Sequence, residues 1–320
     1  MLELPDVQKY TQGFPNIFIE KVGVENIKVN MNIKSKYKNK QLVIANIDSY
    51  CSLDENTKGI NMSRIGRGIN KVLKDNKDKD GFDNLKKFVL ELKDVHEADN
   101  VYIKANFDYM IDKQTPVTDL YSPEPVNVTF ENLYEDNKHR SMITVKAVET
   151  SLCPCSKQMS LLKNNIKDKE LNLIRQLPKE LCDKILMSGF GAHNQKSEIK
   201  VKVELKENQS LWIEDIADII KASVSAPTYT ILKRPDEKWV TEVAYLGGYF
   251  DDGEFKYVGG GPRFVEDISR DVVLKLNEYL DKKIVDYIVK VNNYESIHSD
   301  NISAASFLTA GRRFKPDSIQ

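Results

Sequence analysis

Cysteine and histidine are both scarce in this sequence, with four of each in 320 residues. Four cysteines cannot staple a chain of this length, so a disulfide scaffold is excluded and the setting reads as cytoplasmic. Net charge is also missing: 47 Lys and Arg nearly cancel 48 Asp and Glu, leaving a formal −1. Without a global field, neither nucleic acid nor a membrane surface is expected as a partner. No apolar run approaches the length of a membrane helix. Residues 1–21 have no basic region followed by an apolar core, and so do not read as a secretory signal. What is present is the composition of a folded soluble protein, 41% hydrophobic and 30% charged, in one large or two ordinary domains.

Residues 1–22 read as an irregular N-terminal arm. Residues 26–34 (NIKVNMNIK) and 41–50 (QLVIANIDSY) alternate apolar and polar side chains and read as paired strands. A helix follows, capped by Ser63 and carrying Ile65, Ile69 and Val72. A second helix over 82–96 carries Leu85, Phe88, Val89 and Leu92. Strands are expected over 100–109, 126–134 and 140–149. The second half runs similarly, with a strand over 197–205, a helix over 211–225, an extended stretch over 239–245, a helix over 263–280 and a strand over 283–292. Residues 159–188 and 247–262 read as insertions, the second with the glycine content of a hairpin or mobile loop. The tail RRFKPDSIQ is expected to fray.

The scarce residues gather in one stretch. SLCPCSK (151–157) supplies Cys153 and Cys155, and GAHNQKS (191–197) supplies His193. Thiolate and imidazole suit a zinc-like cation, although buried cysteines are as often packing residues. LKRPDEKWVTE (232–242) brings Lys233 and, in an otherwise apolar strand, Glu242. An inward carboxylate needs a partner. Either the N–H edge of a guanine-like ligand or a salt bridge to Arg234 or Lys233 would serve. NNYESIH (292–298) ends the last strong strand with Glu295 and His298, three apart, either an acid–base pair or an ordinary surface loop. Arg64, in KGINMSR (58–64), is one of several cations placed to meet a polyphosphate or simply solvated.

These motifs, in this order, resemble those of the prokaryotic type IB GTP cyclohydrolases of the tunnelling-fold superfamily. The match also takes in LPDVQ (4–8), VGV (22–24) and RFVEDISRDV (263–272), and so covers most of the chain outside the two insertions. The resemblance implies an α+β, bimodular tunnelling fold: two antiparallel sheets, each with a helical pair packed on one face. The modules are drawn at 23–150 and 151–320. It implies a homotetramer with active sites at subunit interfaces. The implied reaction takes GTP and water to 7,8-dihydroneopterin triphosphate and formate, the first step of tetrahydrofolate synthesis. A diverged purine- or pterin-binding protein of the same fold is the alternative.

Carried over by motif, Cys153 and His193 are implied as ligands of a divalent metal, zinc or manganese. Cys155, Glu295 and His298 are implied as catalytic groups with Cys153, Glu242 as the guanine anchor, and Arg64 and Lys233 as further substrate-binding residues. The chain departs from the family in three places. Asn61 and Asp300 stand where histidines are common, and no carboxylate precedes LKRPDE to act as a third metal ligand.

Overall fold

In the computed structural model, residues 17–76, 79–163, 167–182, 191–300 and 302–319 are described. Ten strands alternate with helices: β1 (Ile19–Lys34), β2 (Lys40–Leu53), α1 (Met62–Asp75), α2 (Gly81–His96), β3 (Val101–Ile111), β4 (Glu124–Glu135), β5 (Lys138–Leu152), α3 (Pro154–Lys163), α4 (Asp168–Ile174), β6 (Asn194–Leu205), α5 (Ile213–Lys221), α6 (Arg234–Leu246), β7 (Gly248–Asp251), β8 (Glu254–Tyr257), α7 (Val265–Leu276), β9 (Ile284–Tyr294) and β10 (Ser303–Thr309).

Eight strands form one antiparallel sheet in the order β1-β2-β3-β4-β5-β6-β9-β10. Period-two alternation sends one set of side chains inward, among them Met31, Ile47, Ile103, Val145, Val201 and Val289. Four helices bury their apolar stripes on that face: α1 through Ile65 and Ile69, α2 through Leu85 and Val89, α5 through Ile216 and Ile220, and α7 through Ile268 and Val272. The plan strand–strand–helix–helix–strand–strand therefore occurs twice. The two four-stranded halves are joined edge to edge where β4 pairs with β5 into a continuous α+β sheet. β5 runs unbroken through residue 150, so a module division at 150/151 falls inside a strand, whereas the repeated plan changes halves at the Asp136–Asn137 turn between β4 and β5.

Four local expectations are corrected. Residues 239–245 are not extended; they lie in α6. Pro235 sits in its first turn, where a missing N–H costs nothing, and Val240, Val243 and Ala244 fall on one helical face. The N-cap of α1 is Asn61, while Ser63 lies inside the helix and donates to Asn61 Oδ1 at 2.7 Å. Residues 19–22 of the expected arm belong to β1; residues 1–16 lie outside the described residues. The C-terminal tail is tied down. Phe314 and Ile319 are buried against Met142 and Ile288, and the backbone N–H of Phe314 donates to Asp286 at 2.7 Å.

The two expected insertions meet. Ile174 and Cys182 of the first pack with Leu246 and with Phe250 of the β7–β8 hairpin, and the Arg175 guanidinium lies over the Phe255 ring. Residues 164–166 and 183–188 of the first insertion lie outside the described residues.

Candidate active site at the ends of β5 and β6

The pairing of β5 with β6 closes on Leu152 opposite Asn194. One residue further out, the backbone N–H of Cys153 donates to His193 O at 3.2 Å. The strand register thus brings CPC and AHN together and loops out everything between them. Ser156, in the first turn of α3, ties both sides. Its backbone N–H approaches Cys153 Sγ at 3.4 Å, and its hydroxyl accepts from the His193 backbone at 3.3 Å. Cys153 is half-buried and Cys155 exposed, and none of the four cysteines is in a disulfide. His193 Nδ1 is buried without a hydrogen-bond partner. A buried ring nitrogen in that state, beside a thiol, suits a metal donor pair. Among the described residues no third Cys, His, Asp or Glu joins them.

Glu295 belongs to the same end of the sheet. Its carboxylate accepts from Gln195 Nε2 at 3.0 Å, and Gln195 lies on β6 two residues past His193. Gln195, which the AHNQ motif contains but whose chemistry does not single it out, is the positioning partner that sequence reasoning missed. Beneath it lies a buried polar floor: Ser197 Oγ donates to Asn293 Oδ1 at 2.6 Å, and Asn293 Nδ2 to Ser151 Oγ at 3.1 Å. His298 sits exposed in the β9–β10 turn, its backbone N–H on Glu295 O at 3.4 Å.

Glu242 projects from α6, not from a strand. Its side chain is 15% exposed and pairs with Lys238 at 3.0 Å, one turn earlier, rather than with Arg234 or Lys233. Helix α6 is set against the site by Val243 and Ala244, which pack on Leu152 and Ala192, the neighbours of Cys153 and His193. Lys157 of CPCSK adds a second tie, donating from Nζ to Tyr245 O at 2.7 Å. Lys233 is exposed at the N-cap of α6. Its backbone N–H donates to Asp236, which also accepts from the backbone of Val117 and Thr118, at 3.0–3.1 Å throughout, and from the Thr118 hydroxyl at 2.5 Å. Burial alone would raise that carboxyl, but these hydrogen bonds overcome it and hold Asp236 well below the usual carboxylate range.

A second buried group escaped sequence reading. Glu149 is fully buried on β5, with Oε2 accepting from Thr228 N at 2.6 Å. Near it lies Glu124, which is paired with Lys113 at 3.0 Å and Lys221 at 3.3 Å. Burial first, and then the Glu124 charge, push Glu149 up to about 8. The two carboxyls share one proton. The signal was available, since Glu149 has the inward parity of Ile143, Val145 and Ala147.

Arg64 is not brought to this end of the sheet. It lines a cavity of about 360 Å³ with Ser52, Asn61 and His96, at the end where Cys51 pairs with Val101 and Val101 with Tyr134. β5 starts there and carries the chain away over 15 residues, about 45 Å at the usual rise per residue. Within one chain, Arg64 cannot share a ligand with Cys153.

The family model described as type I GTP cyclohydrolase folE2 matches residues 4–304. The protein called GTP cyclohydrolase FolE2 in Magnetococcus marinus is 34% identical over 98% of this chain and 98% of its own length. That of Dictyoglomus turgidum is 33% identical over 94% and 96%. Among solved structures, the uricase from Arthrobacter globiformis superposes with a TM-score of 0.51 at 7% identity, covering 92% of this chain and 96% of its own. That likeness speaks for the fold alone.

Proposed function

The chain belongs to the type I GTP cyclohydrolase FolE2 family, and we propose on that premise that it opens the imidazole ring of GTP at C8. Formate leaves, and after rearrangement of the ribose and reclosure the product is 7,8-dihydroneopterin triphosphate, the entry to tetrahydrofolate. The observation that carries the reading is the Cys153–His193 pairing across the ends of β5 and β6, with Glu295 attached through Gln195. We assign the chain to the type IB branch on the CPCSK and AHNQ motifs.

Cys153 and His193 would hold a divalent metal, zinc or manganese, and the chemistry such an ion would supply is acidification of a water for attack at C8. Glu242 receives the guanine N–H edge through a bidentate, charge-assisted pair, releasing Lys238. Glu295, oriented by Gln195, takes and returns protons during ring opening. His298 in the adjoining turn serves the later rearrangement, and Cys155 lies close enough to assist. Lys233 and Arg64 bind the phosphates.

The length of β5, about 45 Å, lies between the sheet end near Arg64 and Cys153, and this supports a site shared by two copies. Both outer strands of the sheet, β1 and β10, have a free edge among the described residues. A second copy with its strand ends reversed would set its Arg64 end at the level of the Cys153 end of the first. This supports a homotetramer with interface active sites. No helix among the described residues is long and apolar enough to cross a membrane; we place the enzyme in the cytoplasm on its cysteine usage. Incubation of the purified, metal-supplemented protein with GTP, followed by oxidation, tests the activity. A fluorescent pterin that Cys153→Ala does not make is expected, and a wild-type protein making none under either metal rejects it.

A further inference from the structure

His96 closes α2 and takes no part in the chemistry described above, yet it lines the same cavity as Arg64. Its Nε2 is buried and has no hydrogen-bond partner. An orphaned polar atom is destabilising when nothing arrives to pair with it. Burial and then the Arg64 guanidinium depress its pKa, so a neutral imidazole stands beside a fixed cation. An anion bound between the two reverses the second effect, because its charge offsets that of Arg64 at the ring.

The other charged residues lining the cavity are carboxylates: Asp54, Glu97 and Asp99. Asp54 already accepts from the backbone and side-chain amides of Asn56 at 2.8 and 2.9 Å. These carboxylates disfavour a bare anion. They favour a ligand that offers hydroxyl donors along with its negative charge, as the ribose and phosphates of a nucleotide do. The hydroxyl of Thr57 and the amide of Asn61 add neutral partners for such a group.

We propose that His96 is a substrate-contacting residue, its Nε2 bonding a phosphate oxygen of the nucleotide whose charge Arg64 carries, a role that rests on the GTP reading above. Because the bound phosphate favours the charged ring, binding takes up protons and tightens as pH falls below neutrality. The probe is 7-deaza-GTP, which has carbon in place of N7 and cannot be opened at C8. Calorimetry on the full, metal-loaded protein, in two buffers of different ionisation enthalpy near pH 6.5, measures affinity and proton uptake together. Wild type is expected to take up protons. His96→Gln should take up none and bind about tenfold or more weakly, with an unchanged Tm; His96→Asn serves as the second variant. Binding of 7-deaza-GTP by both variants with wild-type affinity and proton count overturns the role of His96 while leaving the GTP reading intact. A wild-type protein that does not bind the probe overturns both.

Discussion

The backbone N–H of Cys153 rests on the carbonyl of His193 at 3.2 Å, across forty residues of sequence. That bond continues the β5–β6 ladder by one step, so the site is built on two sheet strands and not on the inserted segment between them. The insertion packs instead on α6 and the β7–β8 hairpin through Ile174, Cys182, Leu246 and Phe250. Long loops add little closure entropy, which is why the Cys153–His193 pairing survives so large an excursion.

Glu242 should be the residue whose loss is felt in substrate binding. Glu242→Gln keeps the shape and removes the charge, and is expected to raise KM for GTP tenfold or more, through loss of a charge-assisted pair worth ~1.5–3 kcal/mol. Lys238→Ala should leave KM unchanged or lower, because its ammonium is mostly solvated and an exposed ion pair is worth about 0–1 kcal/mol. Steady-state kinetics on both variants checks this. A KM that follows Lys238 and ignores Glu242 removes the anchoring role.

Glu149 makes stability depend on pH. Its folded value is about 8 against 4.5 for an ordinary glutamate, so the native state keeps a proton that the unfolded chain releases. Its contribution is complete below about pH 4.5 and is lost as pH rises through about 8. Glu124 is shifted down and acts in the opposite sense, its contribution being present above the unfolded value and lost as pH falls below it. Glu149→Gln should flatten the decline toward pH 8 and raise Tm above it. Thermal melts from pH 5 to 9 measure this, and a wild-type slope retained by the variant contradicts the shared proton.

Asp236 is the D of RPDE, and its task is structural. It gathers three backbone N–H groups and the Thr118 hydroxyl, fixing the start of α6 to the loop between β3 and β4. Asp236→Ala should cost at least ~2 kcal/mol, the lower end for charge-assisted bonds lost at a cap, seen as a lower Tm. Since its carboxyl is held low, that stability is present at neutral pH and is lost only as pH falls through the unfolded value and below it. An unchanged Tm in the alanine variant rules out the tie.

Much of the sheet is legible because one face is wet. Strands such as 197–205 alternate cleanly, and the pattern fixes which side chains enter the core. α6 is not legible in the same way: VTEVAYL reads as an apolar run until Pro235 and Asp236 are recognised as its first turn. The tail misleads for a different reason. Phe314 and Ile319 are isolated anchors without periodicity, and only the folded sheet supplies Met142 and Ile288 to receive them. The Cys153–His193 pair is legible from CPCSK and AHNQ, but the Glu149–Glu124 pair and the Arg64–His96 cavity join residues whose nearness no local pattern encodes.

We assign hydrolysis of GTP at C8 to a site built on Cys153, His193 and Glu295. It is tested most directly with GTP carrying an isotopic label at C8. Wild-type protein loaded with zinc or manganese should release the label as formate in step with pterin formation, and Cys153→Ala and His193→Ala should release none. Label that remains in the purine with wild type under both metals, or formate released equally by the Cys153 and His193 variants, contradicts it.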